Sequence, residues 1–214
     1  MTDSSLILTP QDVLAATAIC RGTLEPALAG DWQIPAGDLD WSCQRTLDHI
    51  VDTLFLYAAY VATRAIDRIT PPRNGDPAAS PAQLLTTVGA AAAVLAEVIH
   101  AAPPGTRAFH PAGMADATGW IAMACEEIVI HTDDIAQGLG LPFHLPDDLS
   151  RRITARIFPW APADAEPWAA LRWAAGRAPL PDRERLGPDW WWHCAPLSEW
   201  DGTIRKRTAP PAWR

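Results

Sequence analysis

Apolar residues recur along the chain at intervals of three and four, and that period predicts an all-α protein. Thr9-Pro10-Gln11-Asp12 opens a first helix, with the threonine as cap and proline in the first turn, running to about Leu28. A loop from Ala29 to Asp40 leads to a long second helix within Trp41 to Arg68. There Leu47, Ile50, Val51, Leu54, Phe55, Tyr57, Ala58, Val61, Ala62 and Ile66 build a broad apolar face. A break from Thr70 to Pro77 follows, and Ser80-Pro81 caps an alanine-rich third helix ending near Ala101. Pro103-Pro104-Gly105 breaks the chain again before a loop bearing His110. Asp116 or Thr118 then caps a fourth helix, which closes at Gly138-Leu139-Gly140. Four helices with short or moderate connections predict an up-and-down four-helix bundle over residues 1–142. Residues 143–214 are expected to form a helical to irregular extension packed on that bundle as one compact unit. Its helices are predicted from Pro146 to Phe158 and from Glu166 to Ala175.

The fourth helix carries the densest chemistry. At about 100° per residue, Glu126, Asp133 and Gln137 share an arc opposite Ile121, Cys125, Ile128, Ile135 and Leu139, and that arc is expected to face water. Glu127, His131 and Asp134 fall on a different stripe, beside Trp120, Met123 and Ala124. Glu127 and His131 stand four apart, one turn above the other. Burying a carboxylate and an imidazole unpaired costs several kcal/mol, roughly, and a divalent metal is one way to offset that cost. A surface pair or a satisfied core hydrogen bond is another, and two ligands on one helix do not close a metal site. The third ligand candidate is His49 on the second helix. Its stripe, with Asp52, Thr53, Leu56 and Tyr60, is the more polar side, so by default its ring is solvated. It can be a ligand only where that stripe turns toward another helix.

The order W-S-C…T-L-x-H-I-x-D-T-L, then H-P-A-G-M-A-D-A, then E-I-V-I-H-T-D-D-I-A resembles the DinB-like superfamily. More narrowly it is similar to the amino-terminal metal-binding domain of the mycothiol-dependent maleylpyruvate isomerase family. The resemblance covers roughly Leu8 to Leu141. It implies a bundle with a divalent metal, often zinc, at one end. His49, Glu127 and His131 match the family's ligands, and Asp134 matches a frequent aspartate that would orient a ligand or assist catalysis. It further implies mycothiol as a co-substrate and S-transfer or isomerisation of a small molecule. Past Leu141 no alternating strand pattern is visible, so the isomerases' α/β carboxy-terminal domain is not expected in full.

Composition narrows the partners. A net charge of −8 argues against nucleic acid, because Arg205-Lys206-Arg207 is the one basic run. No signal peptide and no apolar run of about 18 residues is visible, so neither secretion nor a membrane is expected. Cys20, Cys43, Cys125 and Cys194 are scattered without a CxxC and read as free thiols in a reducing cytoplasm. Cys125 reads as packing. Cys43, near a helix start where a thiolate would be favoured, reads first as an inert buried cysteine and only second as a reactive one. Eleven tryptophans, among them Trp190, Trp191, Trp192, Trp200 and Trp213, suggest rings that cover the bundle's open end. Trp190 to Trp192 and His193 are also candidates to roof a metal cavity and touch an apolar substrate, with His193 a further ligand candidate. The expectation is a metal-dependent thiol transferase or isomerase, monomeric or homodimeric, with a small-molecule substrate and a low-molecular-weight thiol as partners. A non-catalytic small-molecule-binding bundle and a metal-dependent hydrolase are the alternatives.

Overall fold

The computed structural model describes residues 7–70 and 74–207. Trp213 and the Pro71-Pro72-Arg73 part of the Thr70-to-Pro77 break lie outside the described residues. Helix α1 spans Pro10–Leu24, α2 Cys43–Thr63, α3 Pro81–Ala101 and α4 Ala117–Leu139. In the extension, α5 spans Asp147–Ile157 and α6 Pro167–Ala174.

The helix starts follow from short polar side chains that satisfy otherwise free backbone donors. Ser42 Oγ accepts from Arg45 N at 3.2 Å, and Asp116 Oδ1 accepts from Gly119 N at 2.7 Å. Ser80 and Gln83 form a reciprocal capping box ahead of α3. Helix α4 stops at Gly140, whose φ of 68° suits a residue without a Cβ. Two helices end earlier than their apolar patterns suggested. α1 gives way at Glu25 to a 3-10 turn, and α2 stops at Arg64 in the left-handed region, short of Arg68. The chain is also not helical throughout. The loop before α4 holds an antiparallel hairpin, β1 (Ala108–His110) with β2 (Gly113–Ala115), in which His110 pairs with Gly113.

Packing fixes which faces matter. Both α1 and α2 pack on α3 and on α4, so the helices run around the bundle in the order α1, α3, α2, α4. The simple order in which every sequence neighbour is also a spatial neighbour is therefore modified. The segments from Glu25 to Ser42 and from Ala102 to Asp116 cross between diagonal helices. Helix α3 corrects a second expectation. Among the described residues it is the one helix long and apolar enough to cross a membrane by length and composition. Here its Leu84, Leu85, Val88, Ala91, Ala92, Leu95 and Ile99 are buried in the core, and the opposite side shows alanines and threonines.

Helix α4 is the centre of the molecule. Every residue from Gly119 to Ala136 is buried, so no face of it is wet over that length. Glu126 and Asp133, expected on a water-facing arc, are 2% and 5% exposed. The reason is the extension: α5 packs on α4, and Arg172 of α6 pairs with Asp133 at 3.0 Å. A helical wheel for α4 alone carries no information about that cover. Contact is so close that a Cβ on Gly138 would lie 2.4 Å from Pro35 O and 2.7 Å from Cys43 Sγ. A Cβ on Gly119 would lie 2.1 Å from Cys194 O. Only glycine allows the backbone to approach this way.

Candidate metal centre

Helices α2 and α4 meet along the polar stripe of α2, and this turns His49 toward α4. Its side chain is 12% exposed, not solvated as its own helix suggested. His49 Nε2 and His131 Nε2 each lie 3.3 Å from the same oxygen, Glu127 Oε2. One ligand atom from each of the three residues falls within 4.8 Å of the others, a cluster that can hold a metal ion. The rings of His49 and His131 meet edge to face with centroids 5.0 Å apart, so both Nε2 atoms aim at one region without stacking. Nitrogen and carboxylate donors at this spacing suit a borderline divalent ion such as zinc.

The surroundings fix the donors. His131 Nδ1 bonds Asp134 Oδ2 at 2.9 Å, which commits the other ring nitrogen to the cluster. Asp134 is itself gripped by Arg177, with Nε to Oδ1 and Nη2 to Oδ2 both 2.9 Å. Tyr57 donates its hydroxyl to Glu127 Oε1 at 3.3 Å, and Thr53 Oγ1 lies 3.4 Å from His49 Nε2. Trp41 packs against His49 with ring centroids 5.0 Å apart.

These contacts bias protonation. Burial alone would lower the His131 pKa, but its bonds to Asp134 and Glu127 outweigh that and raise it to about 9. Burial likewise pushes Glu127 up, yet the hydrogen bonds to His131 and His49 hold it well below the usual carboxylate range. The metal-free cluster is therefore an ion pair, with a proton where a cation would sit. For its neighbour Glu126, the pull of Arg177, His131 and Trp192 is outweighed. Burial, with repulsion from Glu127, pushes its pKa up to about 8.

The cluster forms the floor of a cavity of about 880 Å³. Trp41, Tyr60, Trp190 and Trp192 wall it, and Glu126, His110 and Arg177 also line it. Trp190 and Trp192 thus line the same cavity as the cluster, while Trp191 is buried. His193 does not join the cluster. It faces a separate pocket, with Nε2 3.1 Å from Pro196 O and its backbone N–H bonded to Ile157 O. Cys43 is the inert buried cysteine that the sequence favoured. It sits at the start of α2, but burial raises its thiol to about 11 and Sγ rests against Pro35 O and Ile135 O. Cys20 is raised to about 11 and Cys194 to about 12, again by burial.

Sequence reasoning brought together His49, Glu127, His131 and Asp134, and the structure does the same. It missed Arg177, Tyr57, Glu126 and His110. Tyr57 was counted as core and Glu126 as surface. Arg177 lies 43 residues from its aspartate and bears no local pattern.

No curated protein and no solved structure matches this chain. A family model does, over residues 15–135, the stretch that runs from α1 through the α4 cluster. With more than half its length so matched, the chain belongs to the DinB superfamily.

Proposed function

We propose that this protein is a metal-dependent enzyme that transfers or rearranges a small molecule with the help of a low-molecular-weight thiol. Its ion, zinc by donor type, is held by His49, Glu127 and His131. The observation that carries the reading is the convergence of those three donors, from two helices, on the floor of a ligand-sized cavity. Three protein ligands leave coordination open, as catalytic zinc sites do and structural ones do not. A divalent ion at that point supplies Lewis acidity and lowers the pKa of a thiol or water that reaches it.

The chain's own residues do the rest. Asp134, clamped by Arg177, holds His131 with Nε2 directed inward. Tyr57 holds the second oxygen of Glu127, so that Oε2 stays toward the two imidazoles. Trp190, Trp192 and Trp41 exclude water and offer flat apolar contact to a substrate. The motif order shared with the maleylpyruvate isomerase family supports mycothiol as the thiol. Four buried free cysteines support a reducing compartment such as the cytoplasm.

The test is spectroscopic. Protein loaded with cobalt(II) should gain a sulfur-to-cobalt charge-transfer band when mycothiol is added, and Glu127→Ala should not. No band with mycothiol, bacillithiol or glutathione, in protein proven to hold cobalt, removes the thiol reading. A hydrolase or a binding bundle would then remain.

A further inference from the structure

His110 lines the cavity from the β1 end and belongs to no part of the cluster described above. Its Nδ1 accepts the backbone N–H of Ala112 at 3.1 Å. An amide nitrogen can only donate, so Nδ1 is bare and the neutral ring carries its proton on Nε2. Tyr57, Trp120, Trp191 and Trp192 surround the imidazole at centroid distances of 5.8, 5.6, 6.5 and 5.4 Å. The ring is 4% exposed. Burial drives its pKa down to about 3, with Arg207 and Arg68 pushing the same way and Glu127 opposing. The tautomer is thus set by the hairpin backbone and the charge state by the aromatic box.

Nε2–H has no hydrogen-bond acceptor among the described residues. His110 lines the cavity, so a ligand there can supply the acceptor that Nε2–H lacks. We propose that His110, its tautomer fixed by the Ala112 amide, is a hydrogen-bond donor through Nε2–H to an sp2 oxygen, carbonyl or carboxylate, of a flat apolar ligand bound in this cavity. Tyr57 lies between this donor and the Glu127 cluster, so the ligand oxygen at His110 sits one aromatic ring away from the metal position. The idea rests on the cavity being the ligand site, which is part of the function proposed above, but not on the metal being present.

Uniformly ¹⁵N-labelled protein tests this by long-range proton–nitrogen NMR of the imidazoles, in zinc-loaded and chelator-treated samples. His110 should show a bare Nδ1 and a protonated Nε2 from pH 5 to pH 8. Saturation with benzoate or benzamide should shift its Nε2–H resonance, and the stronger of the two distinguishes a carboxylate from a neutral carbonyl. His110→Phe should bind that probe about tenfold more weakly, and His110→Gln, which keeps an N–H near the same place, should recover most of the loss. A protonated Nδ1, titration within that pH range, no shift with either probe, or equal affinity in His110→Phe overturns the proposal. A protein that shows these effects without binding zinc keeps it and removes the metal reading alone.

Discussion

Replacing Asp134 with asparagine separates the support of the cluster from the cluster itself. The carboxylate is nearly inaccessible, bonded to His131 Nδ1 and to two nitrogens of Arg177, whose side chain is 14% exposed. Removing one member of a buried pair costs about 3–5 kcal/mol, because the other charge stays desolvated. The amide oxygen can still accept one bond, so we expect the lower end, about 3 kcal/mol. For a chain of this length that is a fall in Tm of roughly 6–12 °C, read by circular dichroism in chelator. Zinc affinity, read by competition with a chromophoric chelator, should fall about 10–100-fold, because the tautomer of His131 is no longer enforced. The double variant Asp134→Leu, Arg177→Met should regain much of the stability and none of the affinity. A single variant with Tm within about 2 °C of the parent and unchanged zinc affinity refutes the assignment of Asp134 as the group that orients His131.

Four shorter expectations follow from the same structure. In the metal-free protein the His131 pKa is raised from 6.5 to about 9. Its stabilisation is therefore complete below pH 6.5 and lost as pH rises through 9, and a Tm that stays flat over that window contradicts the pairing. For the same reason, calorimetry in buffers of different ionisation enthalpy should find about one proton released per zinc bound at pH 7. Gly138→Ala forces a Cβ against Pro35 O and Cys43 Sγ, which should cost about 1–3 kcal/mol by denaturant unfolding. The four buried thiols should react with Ellman's reagent at pH 8 only after denaturation, and fast labelling of Cys43 in the native protein contradicts its raised pKa.

The helices and their caps were legible because Ser80 and Asp116 accept backbone N–H groups, and Thr9 bonds Asp12, all within three residues of themselves. The Glu127–His131 pair was legible for the same reason: four residues on a helix is a local distance. His49 was legible only through its resemblance to a motif, since its own helix places it on the polar side and only the docking of α4 turns that side inward. Glu126 and Asp133 were misplaced because what buries them, α5, α6 and the segment after them, is remote in sequence. His110 depends on a backbone amide two residues away and on four rings from three separate segments, and no periodicity reports such an arrangement.

The central claim is that His49, Glu127 and His131 together hold a divalent ion, and metal content measures it most directly. Elemental analysis of the purified protein, compared with His49→Ala, Glu127→Ala and His131→Ala proteins of native helical content, should find about one divalent ion per chain in the parent, a stoichiometry set by three donors meeting at one point. His131→Ala should hold none, and X-ray absorption of the parent should show two imidazoles and oxygen ligands without sulfur. Full metal content in the His131→Ala protein, or a parent that stays metal-free in excess zinc at pH 8, would contradict the account.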